Sequence, residues 1–100
     1  MLSQYVNILM VEDNPGDAQL LQEYLTEGLQ SGYRVTHCER LGDALTYLDK
    51  DTCDIILLDL SLPDSRGLPT FLNLHGKAAN IPIVILTGFD DNELASQAMQ

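Results

Sequence analysis

The fold is decided by the stretch Ile55-Ile56-Leu57-Leu58-Asp59, which runs on into Leu60-Ser61-Leu62-Pro63-Asp64-Ser65-Arg66-Gly67. Four consecutive aliphatic residues, two of them β-branched, predict a strand that is buried on both faces. The turn-forming residues that follow place Asp59 at the carboxyl end of this strand. Because ligands of an open α/β sheet bind beyond the carboxyl ends of its strands, Asp59 is the first candidate for a functional residue.

Strand and helix patterns alternate along the rest of the chain. Apolar runs predict further strands over residues 6–11 and 81–86, and an alternating pattern predicts one over residues 33–39. The strand over residues 33–39 is the more polar one and is expected at a sheet edge. Apolar residues at helical spacing predict helices that begin near residues 14, 41, 68 and 90. The first of these has Asn14 as its cap and Pro15 at its first position. The alternation predicts an α/β fold in which helices cover both faces of a parallel, doubly wound sheet.

The composition is that of one small folded domain, with 45% hydrophobic and 20% charged residues among 100. Fifteen acidic against five basic residues give a formal charge of −10, which argues against direct binding to nucleic acid or to an anionic membrane. No apolar run approaches the roughly 20 residues of a membrane-spanning helix. The N-terminus lacks a signal-peptide pattern, so the expected location is the cytoplasm. Cys38 and Cys53 lack metal-site spacing and are expected to be buried or half-buried thiols.

Polar residues follow three of the predicted strands: Glu12 and Asp13 follow the first, Asp59 the third and Thr87 the fourth. A parallel sheet brings these strand ends to one edge, where neighbouring carboxylates repel one another by roughly 4 kcal/mol per pair at an effective dielectric near 20. An all-oxygen set without His or Cys suits a hard cation such as Mg²⁺, and such a site would receive an anion, above all a phosphate. Asp59 would then attack phosphorus to form an aspartyl phosphate, while the Thr87 hydroxyl and the Gly88 backbone N–H contact the phosphate oxygens.

Each residue of this set also has a local structural role open to it. Glu12 and Asp13 can act as cap or dipole partners of the helix that follows them. Asp59 can bond to backbone within its own turn, and Thr87 can be purely structural. The conjunction of all four at strand ends is what favours a functional site over these local roles.

Three segments resemble the receiver domain of two-component response regulators. They are residues 8–14 (ILMVEDN), 54–68 (DIILLDLSLPDSRGL) and 82–88 (PIVILTG), which occur in the order found in that family. The resemblance covers essentially the whole chain and implies the flavodoxin-like strand order 2-1-3-4-5, with a single receiver domain over residues 1–100. It also implies a signalling protein that catalyses its own phosphoryl transfer and dephosphorylation, not a turnover enzyme.

The resemblance assigns a role to each candidate residue. Asp59 would accept a phosphoryl group from the phosphohistidine of a sensor histidine kinase or of a phosphotransfer protein. Asp13, Asp59 and the backbone carbonyl of Ser61 would hold Mg²⁺, or Mn²⁺ in its place, while Glu12 would act through a metal-bound water. Thr87 would be the switch hydroxyl, which turns toward the phosphate and alters the surface around the fourth helix. That change would control contacts with a partner or with a C-terminal output domain.

The sequence departs from the family in one respect. It stops before the fifth strand and fifth helix, which carry a phosphate-pairing lysine and the aromatic partner of the switch residue. Neither Lys50 nor Lys77 is placed to replace that lysine. We therefore expect a C-terminally incomplete receiver whose last apolar strand forms an exposed edge, which would favour a homodimer.

Three other functions fit parts of the sequence. An interaction module with the receiver fold would signal without phosphorylation. A magnesium-dependent phosphatase would also use an aspartate nucleophile, but it typically has a second aspartate where Ser61 stands. A flavin-binding module would need a loop rich in Ser, Thr and Gly after the first strand, where Glu12 and Asp13 stand instead. His37 and His75 form no catalytic dyad and are expected at the surface or in a strand.

Overall fold

The computed structural model of the chain describes residues 5–29 and 32–86, in which four parallel strands, a short hairpin and three helices are formed. In chain order the elements are β1 (Val6–Val11), α1 (Pro15–Leu29), β2 (Tyr33–Cys38), α2 (Leu41–Lys50), β3 (Ile55–Asp59), β4 (Ser61–Leu62), β5 (Ser65–Arg66), α3 (Leu68–Lys77) and β6 (Ile83–Leu86). The predicted fourth helix, over residues 90–100, lies outside the described residues.

The four longer strands form one parallel sheet in the order β2-β1-β3-β6. This order confirms the predicted α/β fold and, for these four strands, the flavodoxin-like arrangement with β2 at an edge. Since all pairs are parallel, the carboxyl ends of β1, β3 and β6 lie along the same edge of the sheet. Any group that follows these strands is therefore brought to that edge.

The side chains of the central strands alternate between the two faces of the sheet, as the period of a strand requires. One face packs against α2 and α3 through four buried residues of β1 and β3, namely Leu9, Val11, Ile56 and Leu58. The opposite face packs against α1 through three others, namely Ile8, Met10 and Leu57. The prediction that β3 is buried on both faces is thus confirmed.

The start of α1 follows its sequence signals. The backbone N–H of Asp17 donates to Asn14 Oδ1 at 3.0 Å, so the Asn14 side chain satisfies an N–H that has no partner within the helix. Pro15 occupies the first helical position, where its missing N–H costs nothing. The predicted cap is confirmed, and it fixes the short loop between β1 and α1.

The predicted fourth strand is shorter than expected and is less buried. It covers Ile83–Leu86 and not residues 81–86. Pro82 has no N–H to give to the sheet, and its carbonyl accepts from the N–H of Ile56 at 3.0 Å, so the regular ladder begins only at Ile83. Val84 is 44% exposed, because β6 is the last strand of the described sheet and pairs with β3 alone.

The cysteines and the helices bear on two expectations from the composition. Cys38 and Cys53 are free, buried thiols as predicted, and burial raises the pKa of both. Within residues 5–29 and 32–86, no helix combines the length and the apolar character needed to cross a membrane.

Candidate metal centre

Three acidic side chains meet at the carboxyl edge of the sheet. Glu12 and Asp13 follow β1, and Asp59 ends β3. One carboxylate oxygen from each of them lies within 4.8 Å of the others. Glu12 is only 4% exposed, whereas Asp13 and Asp59 are half-buried. The structure thus brings together three residues that lie up to 47 positions apart in the sequence.

The register of the sheet explains why these carboxylates meet. Met10 pairs with Leu57, and continuing this register by two residues sets Glu12 opposite Asp59. Because side chains alternate along a strand, Glu12 and Asp59 fall on the same face as Met10 and Leu57, which is the face that α1 covers. Glu12 is still held within the sheet, since its N–H donates to the carbonyl of Cys38 at 3.0 Å.

The environment of the Glu12 carboxyl favours its protonated form. Burial, followed by a side-chain hydrogen bond with Asp59, raises the pKa of Glu12 from an ordinary 4.5 to about 8. The charges of Asp59 and Asp17 act in the same direction. The backbone N–H of Asn14, which donates to Glu12 Oε2 at 3.3 Å, acts in the opposite direction. Without a cation, burial and the contact with Asp59 thus favour the protonated form of Glu12.

Asp59 also makes the local contact that is typical of a turn residue. The backbone N–H of Ser61 donates to Asp59 Oδ1 at 2.9 Å. This bond fixes the orientation of the carboxylate at the strand end, so the local role and a role in the acidic cluster are compatible. The cap role open to Glu12 and Asp13 is instead taken by Asn14.

His37, expected only at the surface or in a strand, contacts the site. Its Nε2 lies 2.6 Å from the backbone carbonyl oxygen of Glu12. Since a carbonyl only accepts, Nε2–H is the donor. The parallel register pairs His37 with Met10, two residues before Glu12, so a polar residue near the end of the edge strand was the available signal. His37 also lines a groove of about 540 Å³ along α1, beside Pro15 and Ala18, which none of the three carboxylates lines.

The donor set fits a hard divalent cation. Glu12, Asp13 and Asp59 offer only oxygen atoms, and Mg²⁺ is usually held by a few carboxylates with water in its remaining positions. The partial exposure of Asp13 and Asp59 leaves space for such waters. Ser61, whose carbonyl was predicted as a further ligand, begins β4 two residues after Asp59 and is also half-buried.

Two of the predicted phosphate contacts, Thr87 and Gly88, lie outside the described residues. The residue before them, Leu86, is the register partner of Asp59 across β3 and β6. Lys77, which the sequence placed away from the site, forms an ion pair with Asp49 at the C-terminal ends of α2 and α3.

Comparison with known proteins gives concordant matches. The sequence profile described as "Response regulator receiver domain" matches residues 8–100. The glycerol metabolism activator of Pseudomonas putida is 33% identical over 93 residues, which are 92% of this chain and 42% of that protein. The chain therefore spans less than half the length of this relative.

Solved structures agree with the sequence matches. The receiver domain of the sensor histidine kinase PA1611 from Pseudomonas aeruginosa PAO1, with a magnesium ion coordinated in its active site cleft, is 32% identical with a TM-score of 0.74. The match covers 93% of this chain and 78% of that one. The phosphorylated cyanobacterial phytochrome response regulator RcpA is 27% identical with a TM-score of 0.74, over 94% of this chain and 75% of that one.

The sheet order, the acidic cluster at its carboxyl edge and a profile match over most of the chain lead to one assignment. Members of the matched family are signalling domains of two-component systems. The chain belongs to the response regulator receiver domain family.

Proposed function

We propose that this chain is a phospho-accepting receiver in which Asp59 takes a phosphoryl group from the phosphohistidine of a sensor histidine kinase or a phosphotransfer protein. The observation that carries the proposal is the convergence of Glu12, Asp13 and Asp59 within 4.8 Å in a domain of the receiver family. The magnesium ion in the PA1611 receiver and the phosphorylated state of RcpA support it.

In the proposed reaction, a carboxylate oxygen of Asp59 attacks phosphorus and forms the new P–O bond. The P–N bond to the donor histidine breaks, and its electron pair remains on the imidazole nitrogen. The Ser61 N–H, 2.9 Å from Asp59 Oδ1, orients the carboxylate before the donor arrives. The position of Asp59 at the end of a buried strand also helps to hold its carboxylate in this orientation.

Asp13, Asp59 and the backbone carbonyl of Ser61 are the proposed direct ligands of Mg²⁺, and Glu12 is proposed to act through a bound water. When bound, the ion supplies positive charge that screens the carboxylates from the incoming phosphoryl group. The raised pKa of Glu12 is consistent with this assignment, since a cluster of this charge needs either a proton or a cation.

The proposal extends to signalling beyond the acceptor. We propose that the Thr87 hydroxyl and the Gly88 N–H would contact the phosphoryl oxygens, and that Thr87 would act as the switch that changes contacts with a partner or an output domain. The pairing of Leu86 with Asp59 supports this placement of the residues that follow it. The greater length of the Pseudomonas putida relative supports an output domain.

Intact-mass measurement after incubation with Mg²⁺ and acetyl phosphate tests the acceptor role. We expect the chain to gain the mass of one phosphoryl group, and to lose this gain in EDTA and in Asp59→Asn. Asp54→Asn is the matched control, because Asp54 lies before the opposite end of the same strand and accepts from the Asn7 N–H at 2.7 Å. A folded chain that is never modified would contradict the proposal and favour an interaction module that signals without phosphorylation.

A further inference from the structure

The loop between β3 and α3 is a closed hairpin. β4 and β5 pair in antiparallel fashion, and the N–H of Gly67 donates to the carbonyl of Leu60 at 2.7 Å, which closes its base. Leu60 and Leu62 are completely buried and hold the hairpin against the core. Ser65 Oγ lies 2.6 Å from Thr70 Oγ1, which joins the second strand of the hairpin to α3.

The tip of this hairpin is fastened to a different helix by Asp64. Asp64 Oδ1 accepts from the N–H of Leu41 at 2.8 Å, and Oδ2 accepts from the N–H of Gly42 at 2.9 Å. These are the first two residues of α2. Arg40, which precedes them, has the extended backbone of a capping residue but makes no side-chain capping bond. Asp64 therefore caps α2 across 22 residues of sequence.

The charge of Asp64 suits this position. Its pKa lies below the ordinary value, chiefly because the N–H of Gly42 donates to it, with the N–H of Leu41 and the charge of Arg40 acting in the same direction. A carboxylate at the N-terminus of a helix is also favoured by the helix dipole. The contact between the hairpin and α2 is thus a charge-assisted one, and it serves a helix start where Arg40 makes no side-chain capping bond.

We propose that Asp64 is a positioning residue for the metal-dependent chemistry at Asp59. Ser61 begins the hairpin, donates its N–H to Asp59 and is the proposed source of a carbonyl ligand for Mg²⁺. The buried Leu60 and Leu62 and the Ser65–Thr70 contact hold the base and the second strand of the hairpin, and Asp64 adds an attachment at its tip. By tying the tip to α2, Asp64 helps to hold Ser61 where its N–H orients Asp59 and where its carbonyl would be available to Mg²⁺. This inference rests on the proposed function.

Two simpler roles must be separated from positioning. Asp64→Ala would remove a helix cap and one negative charge as well as the tie between the hairpin and α2. The double variant Asp64→Ala with Arg40→Ser separates these effects. Ser at position 40 supplies a local cap on a backbone that already has the capping conformation. Loss of one acidic and one basic residue also leaves the formal charge at −10.

The experiment is an NMR titration of the chain with Mg²⁺, paired with the urea midpoint of each variant. We expect Asp64→Ala to lower the midpoint and to raise the Mg²⁺ dissociation constant about 10-fold, as for other supporting contacts of metal sites. The double variant should recover the midpoint but keep the weakened Mg²⁺ binding. If Asp64→Ala alone does not fold, the double variant still gives the binding measurement.

Wild-type Mg²⁺ affinity in the single variant would overturn the inference, because Asp64 would then have no effect on the metal site. Wild-type affinity in the double variant would also overturn it, because a local cap and a balanced charge would then replace Asp64. Failure of the proposed function has a different signature: the wild-type chain itself would show no Mg²⁺-dependent shifts of the amides near Asp13 and Asp59. That result would overturn the proposed function and the inference together.

Discussion

Glu12 is the most buried of the three clustered carboxyl groups, and its protonation depends on the charges of its acidic neighbours. Burial and the hydrogen bond with Asp59 raise its pKa to about 8. A cation bound beside it would favour the ionised form, so Mg²⁺ binding is expected to release a proton near neutral pH.

This pKa gives a pH dependence of stability in the absence of metal. The pKa of Glu12 is higher in the folded chain than its ordinary 4.5, so its stabilising contribution is complete below pH 4.5 and is lost as pH rises toward about 8. We expect the free energy of unfolding in EDTA to fall across this range, and Glu12→Gln, which cannot ionise, to show a smaller fall. Urea unfolding at several pH values measures both. Equal slopes in the two proteins would contradict the assignment.

Asp13 is expected to contribute to Mg²⁺ binding far more than a nearby acidic residue of equal charge. Asp13→Asn should weaken Mg²⁺ binding by about 10-fold or more, whereas Asp17→Asn should change it little. Asp17 lies in the first turn of α1 and is exposed, so its substitution controls for the loss of local negative charge. NMR titration with Mg²⁺ gives both dissociation constants. Equal weakening in both variants would show that only net charge matters.

At the scale of elements, the β4–β5 hairpin is the part of the structure that the sequence did not predict. Its strands have two residues each, which is too short for an alternating pattern to be visible. The residues after Asp59 form a turn as predicted, but the two arms of this turn also pair with each other, and the Gly67 N–H donates to the Leu60 carbonyl. The result is a hydrogen-bonded hairpin directly after Asp59.

Gly67 is the residue of this hairpin that least tolerates a side chain. Its φ of 74° and ψ of −154° lie in a region that other residues rarely adopt. We expect Gly67→Ala to lower the free energy of unfolding by about 1–3 kcal/mol. Gly76→Ala in α3 is the control, since an added Cβ there meets nothing within 4 Å, and it should stabilise the helix by about 0.5–1 kcal/mol. Urea unfolding measures both free energies. An unchanged free energy of unfolding in Gly67→Ala would show that the backbone at this position is not restricted to glycine.

At the scale of the whole molecule, periodicity and turn residues predicted most of the architecture. Strand-length apolar runs such as residues 55–58 gave the parallel sheet, and its topology brought Glu12, Asp13 and Asp59 to one edge. Contacts between distant side chains and backbone were beyond this reasoning. The bond of His37 to Glu12 depends on the pairing of β2 with β1, and the bonds of Asp64 to α2 depend on loop geometry, neither of which a local pattern encodes.

The stability of the sheet should depend on its central strand. Leu58 in β3 is completely buried, so Leu58→Ala removes core contacts and leaves a cavity, at a cost of about 2–5 kcal/mol. Leu72 is 54% exposed on α3, and Leu72→Ala should change stability by less than about 0.5 kcal/mol. The comparison uses the same substitution at two depths and is made by urea unfolding. Similar losses at both positions would contradict the described core.

Asp59 is the proposed acceptor of the phosphoryl group. The hydroxyls of Ser61 and Ser65 lie in the same segment and would give the same intact mass. The most direct test treats the phosphorylated chain with hydroxylamine and maps the peptides by tandem mass spectrometry. An aspartyl phosphate reacts with hydroxylamine to leave a hydroxamate on Asp59, whereas a serine phosphate does not react. We predict the hydroxamate at Asp59 only; a phosphate that survives on Ser61 or Ser65, or a hydroxamate at another residue, would contradict the account.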